Sequence, residues 1–267
     1  MSEFLKKVVI ERLDGDTAVI EEDVTIQESR MSVFLNGEKA ISMMCIPVDQ
    51  DAHALGFLMG EGVISDVSDV DKIEISEDGL RVDIFTNKIN EESLKHLYTE
   101  KTLVSGCGGG ITGNVENAVE VDFIESDFTV EVDYIRSNVK QFYQESELYR
   151  LTGCVHKAML ILDDGLTICA EDIGRHNAID KVVGKARLSG KCTSRAILVV
   201  SGRLSSEMVV KAVMHKLPIV VSRTAPTFLG VKTAMVHGIT LIGFARGQKM
   251  NIYSHSARLS GFKRVGI

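Results

Sequence analysis

The sequence predicts an α/β (α+β) protein in which a mixed sheet lies between helices and a smaller β-rich region precedes it. Three observations carry this. Period-two apolar alternation and turn dipeptides dominate the first half. The second half starts with a hairpin pattern, then alternates continuous apolar runs with helical patterns, as parallel strands buried on both faces do. Charge divides the same way. Residues 1–150 hold 13 Lys/Arg against 31 Asp/Glu, a net of −18, while residues 151–267 hold 17 against 6, a net of +11.

In the first half, Val8–Leu13 and Ala18–Ile20 flank the turn Asp14-Gly15-Asp16, and Met31–Leu35 ends in Asn36-Gly37, the strongest short hairpin turn. Pro47 leads into a helix with Asp49 or Asp51 as cap and Leu55, Leu58 and Met59 on one face, stopped by Gly60-Glu61-Gly62. Lys72–Ser76 and Leu80–Ile84 form another hairpin. A helical pattern runs from about Asp133 to Leu151 and links the halves.

In the second half, Met159–Leu162 and Leu166–Cys169 are joined by Asp163-Asp164-Gly165. Helices over Asn177–Leu188, Ser205–His215 and Thr227–His237 separate the strands Ala196–Val200, Ile219–Val221 and Thr240–Phe244. The expected domains are 1–132, β-rich, and 133–267, α/β.

At 267 residues, 45% hydrophobic and 25% charged, the chain can bury a sizeable core. No apolar run approaches the roughly 20 residues that span a bilayer. The N-terminus lacks a secretory apolar stretch, and five scattered cysteines without a CxxC pair suit a reducing compartment. A cytoplasmic protein with no structural zinc and no nucleic-acid or membrane partner is expected.

Ser105–Gly113 stands out chemically. Five glycines in nine residues are costly to order, so Cys107 among them reads as an accessible thiol able to act as a nucleophile. Gly108, Gly110 and Gly113 match the dinucleotide fingerprint literally, but no helix pattern follows, which excludes a Rossmann reading. Asp172, Arg175, His176, Asn177 and Asp180 cluster where a strand ends and a helix begins, a standard anion position. Arg203, Arg223 and Arg246 follow the next three strands. Four arginines at successive strand ends would converge on one rim, with Gly202 and Gly247 letting the backbone approach a multiply charged phosphate ligand.

These blocks, with Thr152-Gly153-x-x-His156, Ser201-Gly202-Arg203, Phe244-Ala245-Arg246-Gly247 and the N-terminal Gly56–Gly62, closely resemble the formate dehydrogenase accessory family, FdhD/NarQ. The resemblance implies a cytidine deaminase-like three-layer fold and a sulfurtransferase. It would take persulfide sulfur from a cysteine desulfurase and pass it to the molybdenum (or tungsten) centre of bis(molybdopterin guanine dinucleotide), which formate dehydrogenase needs. Cys107 would carry the persulfide. Phe244, Ala245, Arg246, Gly247, Gln248 and Lys249, with Arg175, His176, Arg203 and Arg223, would bind the cofactor, which GDP-like nucleotides would mimic. No resident metal is expected, and a homodimer is the default. Many members of the family have a second loop cysteine where this chain has Gly110; Cys154 would have to replace it. A non-catalytic chaperone that carries the cofactor is the alternative. A zinc deaminase is disfavoured because no proline precedes a cysteine, and a dinucleotide oxidoreductase because the fingerprint lacks its helix.

Overall fold

The computed structural model describes residues 4–99 and 123–266 and shows mixed sheets with helices packed on them. Cys107 and its glycine loop lie outside the described residues. The N-terminal region holds two small sheets. Strands β1 (Leu5–Asp14) and β2 (Thr17–Ile26) pair in register around Gly15 as expected. Strands β3 (Ser29–Leu35) and β4 (Glu38–Cys45) join through Asn36 and Gly37, both at positive φ (51° and 85°), as a tight hairpin turn requires. Asn36 also reaches across the sheet. Its Oδ1 accepts from the Thr86 amide at 2.9 Å and its Nδ2 donates to the Thr86 carbonyl at 2.7 Å. That fixes β6 (Arg81–Thr86) beside β3, parallel to it, with β5 (Val70–Ile75) antiparallel on the outside.

Helix α1 (Gln50–Gly60) packs on this sheet and is buried from Ala52 to Gly60. Asp49 takes the expected cap position, but with a left-handed backbone its side chain makes no capping bond; it accepts from Lys185 Nζ at 3.1 Å instead. Helix α2 (Glu91–Thr99) had no clear signal in the sequence.

Strand β7 (Val130–Glu131) leads into α3 (Val132–Gln144) and α4 (Glu147–Thr152), so the single helix expected over 133–151 is broken. The break falls at Glu145-Ser146, where buried Ser146 turns its hydroxyl to the Glu171 carboxylate. The rest follows the predicted order: β8 (His156–Leu162), β9 (Thr167–Asp172), α5 (Arg175–Leu188), β10 (Ala196–Val200), α6 (Ser206–Met214), β11 (Ile219–Ser222), α7 (Phe228–Val236) and β12 (Thr240–Arg246). Strand β13 (Lys249–Ile252) then adds an edge, and β14 (Leu259–Ser260) pairs with β7.

The six strands lie in the order β13-β12-β11-β10-β8-β9. Strands β10, β11 and β12 are parallel, and β8, β9 and β13 antiparallel to their neighbours. Alternation along each strand fills two cores. Ala158, Leu160, Leu198 and Val220 pack with α5, α6 and α7 on one face; Met159, Ile161, Val199 and Val221 pack with Ile135, Val139 and Phe142 of α3 on the other. The result is three layers, and it explains why these strands read as unbroken apolar runs.

Small residues join the two regions. A Cβ on Gly56 would stand 1.9 Å from the Asp180 carbonyl oxygen, and one on Gly184 the same distance from that of Ala52. Helices α1 and α5 therefore touch backbone to backbone.

Candidate functional site: a cationic cleft at the strand ends

At the end of the sheet where β9, β10 and β11 finish and β8 begins, a cleft of about 1080 Å³ opens. Parallel-sheet proteins commonly bind ligands at such strand ends. Its wall carries Lys157, Arg175, Arg203 and Arg223 against one carboxylate, Glu28. Three of the four predicted arginines thus meet in one place, together with His176.

Each is held there by local structure. Gly174 occupies the N-cap of α5, so Arg175 and His176 form its first turn. At Gly202 the tight neighbour is a side chain of the cleft: a Cβ there would lie 3.1 Å from Arg175 Cδ. Glu207, in the first turn of α6, stands 3.8 Å from Arg175 Nη2 and 3.5 Å from His176 Nε2. The bond to His176 holds its carboxyl below the usual glutamate range. Burial lowers the affinity of His176 for a proton. Burial, then the charge of Arg175, does the same for His156. Both rings are thus neutral near pH 7, offering N–H donors rather than more charge. His156 Nδ1 contacts Ser201 Oγ at 3.1 Å, and that oxygen already accepts from the Lys157 amide at 3.0 Å. Exposed Cys154 lines the same cleft, its Sγ 3.5 Å from Thr152 Oγ1.

The predicted stretch Phe244–Lys249 is placed differently. It is the end of β12, a two-residue turn and the start of β13, and it is not part of the cleft wall. Ala245 is buried in the α3-side core, while Phe244, Arg246, Gly247, Gln248 and Lys249 are exposed. Arg246 stands behind the rim, its Nε donating to the Arg223 carbonyl at 3.2 Å. Nothing of the protein lies within 4 Å of a Cβ built on Gly247, and its φ of +56° in the turn favours glycine there. Phe244 holds φ +51° where the pairing of β12 with β13 shifts register. Sequence reasoning missed Lys157 as part of the cleft, because it lies at the start of a strand and not at its carboxyl end.

The Asp172–Lys181 block splits in two. Asp172, Asp180 and Lys181 face α1 and the end of β4, away from the cleft, and their charge is compensated, while Asn177 lines the cleft and donates from its wall to the Met44 carbonyl and Asp172 Oδ1. Asp172 Oδ1 accepts from the Gly174 amide and Asn177 Nδ2; its Oδ2 accepts from the Ile46 amide and pairs with Lys181 Nζ at 2.7 Å. Asp180 pairs with Lys211 Nζ at 2.9 Å, and Glu61 closes the group at 3.5 Å.

Cys45, His53 and Asp172 bring one ligand atom each within 4.8 Å of one another, a spacing that suits a metal ion. Their surroundings do not suit one. Both carboxylate oxygens of Asp172 are taken, and the ammonium of Lys181 already supplies the positive charge. With no metal present, burial pushes the Cys45 thiol up to about 12. A second hollow of about 700 Å³ contains Arg195 and Arg258. Arg195 pairs with Asp127 and Asp163, and Arg258 donates to three backbone carbonyls, so neither is open to an anion.

The profile of the FdhD/NarQ family matches residues 26–260, spanning the cleft and both regions around it. The chain belongs to the FdhD/NarQ family. It is 57% identical over 258 residues to the sulfur carrier protein FdhD of Wolinella succinogenes, covering 96% of this chain and 90% of that one. It is 32% identical to the sulfur carrier protein FdhD of Methanothermobacter thermautotrophicus, covering 93% and 96%. A crystal structure from Desulfotalea psychrophila, described as a candidate formate dehydrogenase accessory protein, superposes with a TM-score of 0.80 at 25% identity, over 96% of this chain and all of that one. The three-layer arrangement is therefore that of an FdhD/NarQ protein. Among the described residues, no helix is long and apolar enough to cross a membrane.

Proposed function

We propose that this protein is a cytoplasmic sulfur carrier for formate dehydrogenase maturation. Cys107 accepts a persulfide sulfur from a cysteine desulfurase, and the cleft holds the molybdenum-bearing bis(molybdopterin guanine dinucleotide) that receives it. The observation that carries this reading is the convergence of Lys157, Arg175, Arg203 and Arg223 on one large cleft with a single facing carboxylate. Such a surplus of positive charge is stable only with an anion or with water, and a dinucleotide with several phosphates matches it. Similarity to the FdhD sulfur carriers supports the sulfur chemistry.

In that chemistry the terminal sulfur of a persulfide is attacked, the S–S bond breaks, and the cysteine leaves as thiolate. One cysteine is sufficient. Arg175, Arg203 and Arg223 orient the phosphates, and neutral His156 and His176 donate hydrogen bonds without adding charge. We place Phe244–Lys249 beside the ligand's outer end, reached past Arg223, in a chain divided near residue 132 and acting as a homodimer.

Incubation with a cysteine desulfurase and cysteine should add the mass of one sulfur, about 32 Da, to Cys107 by mass spectrometry. Cys107→Ala should abolish formate dehydrogenase activation while GDP binding persists. Full activation by that variant would reject sulfur transfer and leave cofactor carriage, which the cleft alone supports.

A further inference from the structure

Neighbours in a strand point to opposite faces of a sheet. His156 and Lys157 begin β8 side by side, and both line the cleft. The cleft therefore wraps the sheet's end. On the α5 side it meets His156, Arg175 and His176. On the α3 side it meets Phe142, Tyr143, Lys157 and Arg223.

Lys157 is unusual among the four cations. It is only 6% exposed, yet no carboxylate oxygen of the described residues lies within 4 Å of its ammonium. Its Nζ donates once, to the Phe142 carbonyl at 3.2 Å, and lies 5.1 Å from the Phe142 ring centre. Its cross-strand partner, Glu171, turns its carboxylate to Ser146. The other buried lysines, Lys181 and Lys211, each have a carboxylate at 2.7–2.9 Å. An ammonium has three donors, and burying one without a counter-charge is strongly unfavourable. Tyr143 completes the wall: its hydroxyl accepts from the Arg223 amide at 3.2 Å, and the Arg223 guanidinium lies 5.2 Å from its ring centre.

We propose that the α3 side of the cleft is a second anion subsite, with Lys157 as the buried counter-charge for a phosphoryl group of a nucleotide-class ligand. The subsite rests on the reading of the cleft as an anion site, and deepens it: a ligand with phosphates at two places engages both faces of the sheet at once, with Arg175 on one side and Lys157 on the other.

Lys157→Met keeps the length of the side chain and removes the charge; Lys157→Gln serves if the methionine variant fails to fold, and Lys157→Arg restores the charge. Titration calorimetry with GDP and with inorganic pyrophosphate, at low and high salt, reads the outcome. Binding of GDP should weaken about tenfold or more in Lys157→Met, with a shallower salt dependence, and recover in large part in Lys157→Arg. The ligand-free Lys157→Met protein should melt about 2–4 °C higher than the unaltered one and gain less on adding GDP. A lower melting temperature with unchanged GDP affinity and unchanged salt dependence would show Lys157 to be structural and overturn the subsite alone. Failure of the unaltered chain to bind either probe would overturn the anionic cleft itself.

Discussion

Two regions meet on helix α5, and they treat charge in opposite ways. On the side facing α1, Asp172, Lys181, Asp180, Lys211 and Glu61 are buried, and each ionic group has an opposite charge or a set of hydrogen bonds on it. On the side facing the cleft, four cations share one wall carboxylate, Glu28, with Glu207 behind Arg175 and His176. The first arrangement is complete without a ligand and holds the two regions together. The second has a surplus of positive charge among the residues of its wall, and that surplus is what the proposed anion would balance. A short run of charged residues at a helix start thus serves assembly and binding at once, and only the partners of each residue separate the two uses.

The sharpest way to break the comparison is steric. Gly56→Val puts side-chain atoms into the Asp180 carbonyl where even a Cβ would stand at 1.9 Å, and backbone cannot step aside as a side chain would. Loss of cooperative folding is expected, seen as the absence of a thermal transition; a folded variant near normal stability would contradict the helix contact. Next, Lys181→Met leaves Asp172 buried and unpaired, at a cost of about 3–5 kcal/mol. Urea denaturation measures it, and GDP affinity of the folded fraction should stay unchanged.

Acid should test the same interface with a smaller effect. His53 and His215 are fully buried, and burial, then nearby lysine charge, lowers each from 6.5 to about 3. Their folded values lie below the unfolded ones, so the unfolded chain takes up protons first and stability falls as pH drops below about 6.5. Asp180 works the other way: burial raises it to about 6, so it favours the folded state as acid protonates it. Two histidines against one carboxyl leave a net loss of about 2 kcal/mol between pH 7.5 and 5.5, and His156 and His176, lowered by burial as well, add to it. Urea midpoints at the two pH values should show it; equal midpoints would mean that the histidines are not held neutral.

The cleft should respond in the opposite sense. Arg203→Ala removes an exposed cation that has no hydrogen-bond or ion-pair partner among the described residues, so stability should change by less than about 0.5 kcal/mol while GDP binding weakens about tenfold. Arg246→Ala should weaken it less, about twofold to threefold, because Arg246 is outside the wall and acts through the Arg223 carbonyl. A larger effect from Arg246 than from Arg203 would move the ligand site toward the β12–β13 turn.

Much of the fold was legible beforehand, for a physical reason. Strands β10, β11 and β12 are covered on both faces, so their apolar runs are unbroken, and Asn36-Gly37 can hardly be anything but a turn. The split between α3 and α4 was not legible, because Ser146 breaks the helix only through Glu171 on another strand. Nor was the division of the Asp172–Lys181 block. Asp172 and Lys181 bond to Ile46, and Asn177 to Met44, all more than 120 positions away in the chain. One signal was available and unused: Ala52, Gly56 and Gly60 repeat at a spacing of four, a small-residue stripe that announces a close helix neighbour.

By itself, the sequence determined the layered α/β plan, the convergence of arginines at strand ends and the resemblance that names Cys107, because these depend on periodicity, turn chemistry and residue type. The tertiary structure alone decided which charges are already compensated and which remain open to a ligand. Electrostatic pairing is a matter of distance in space: Lys157 on β8 and Lys181 on α5 are both buried lysines, and they differ in what the fold has brought to meet them.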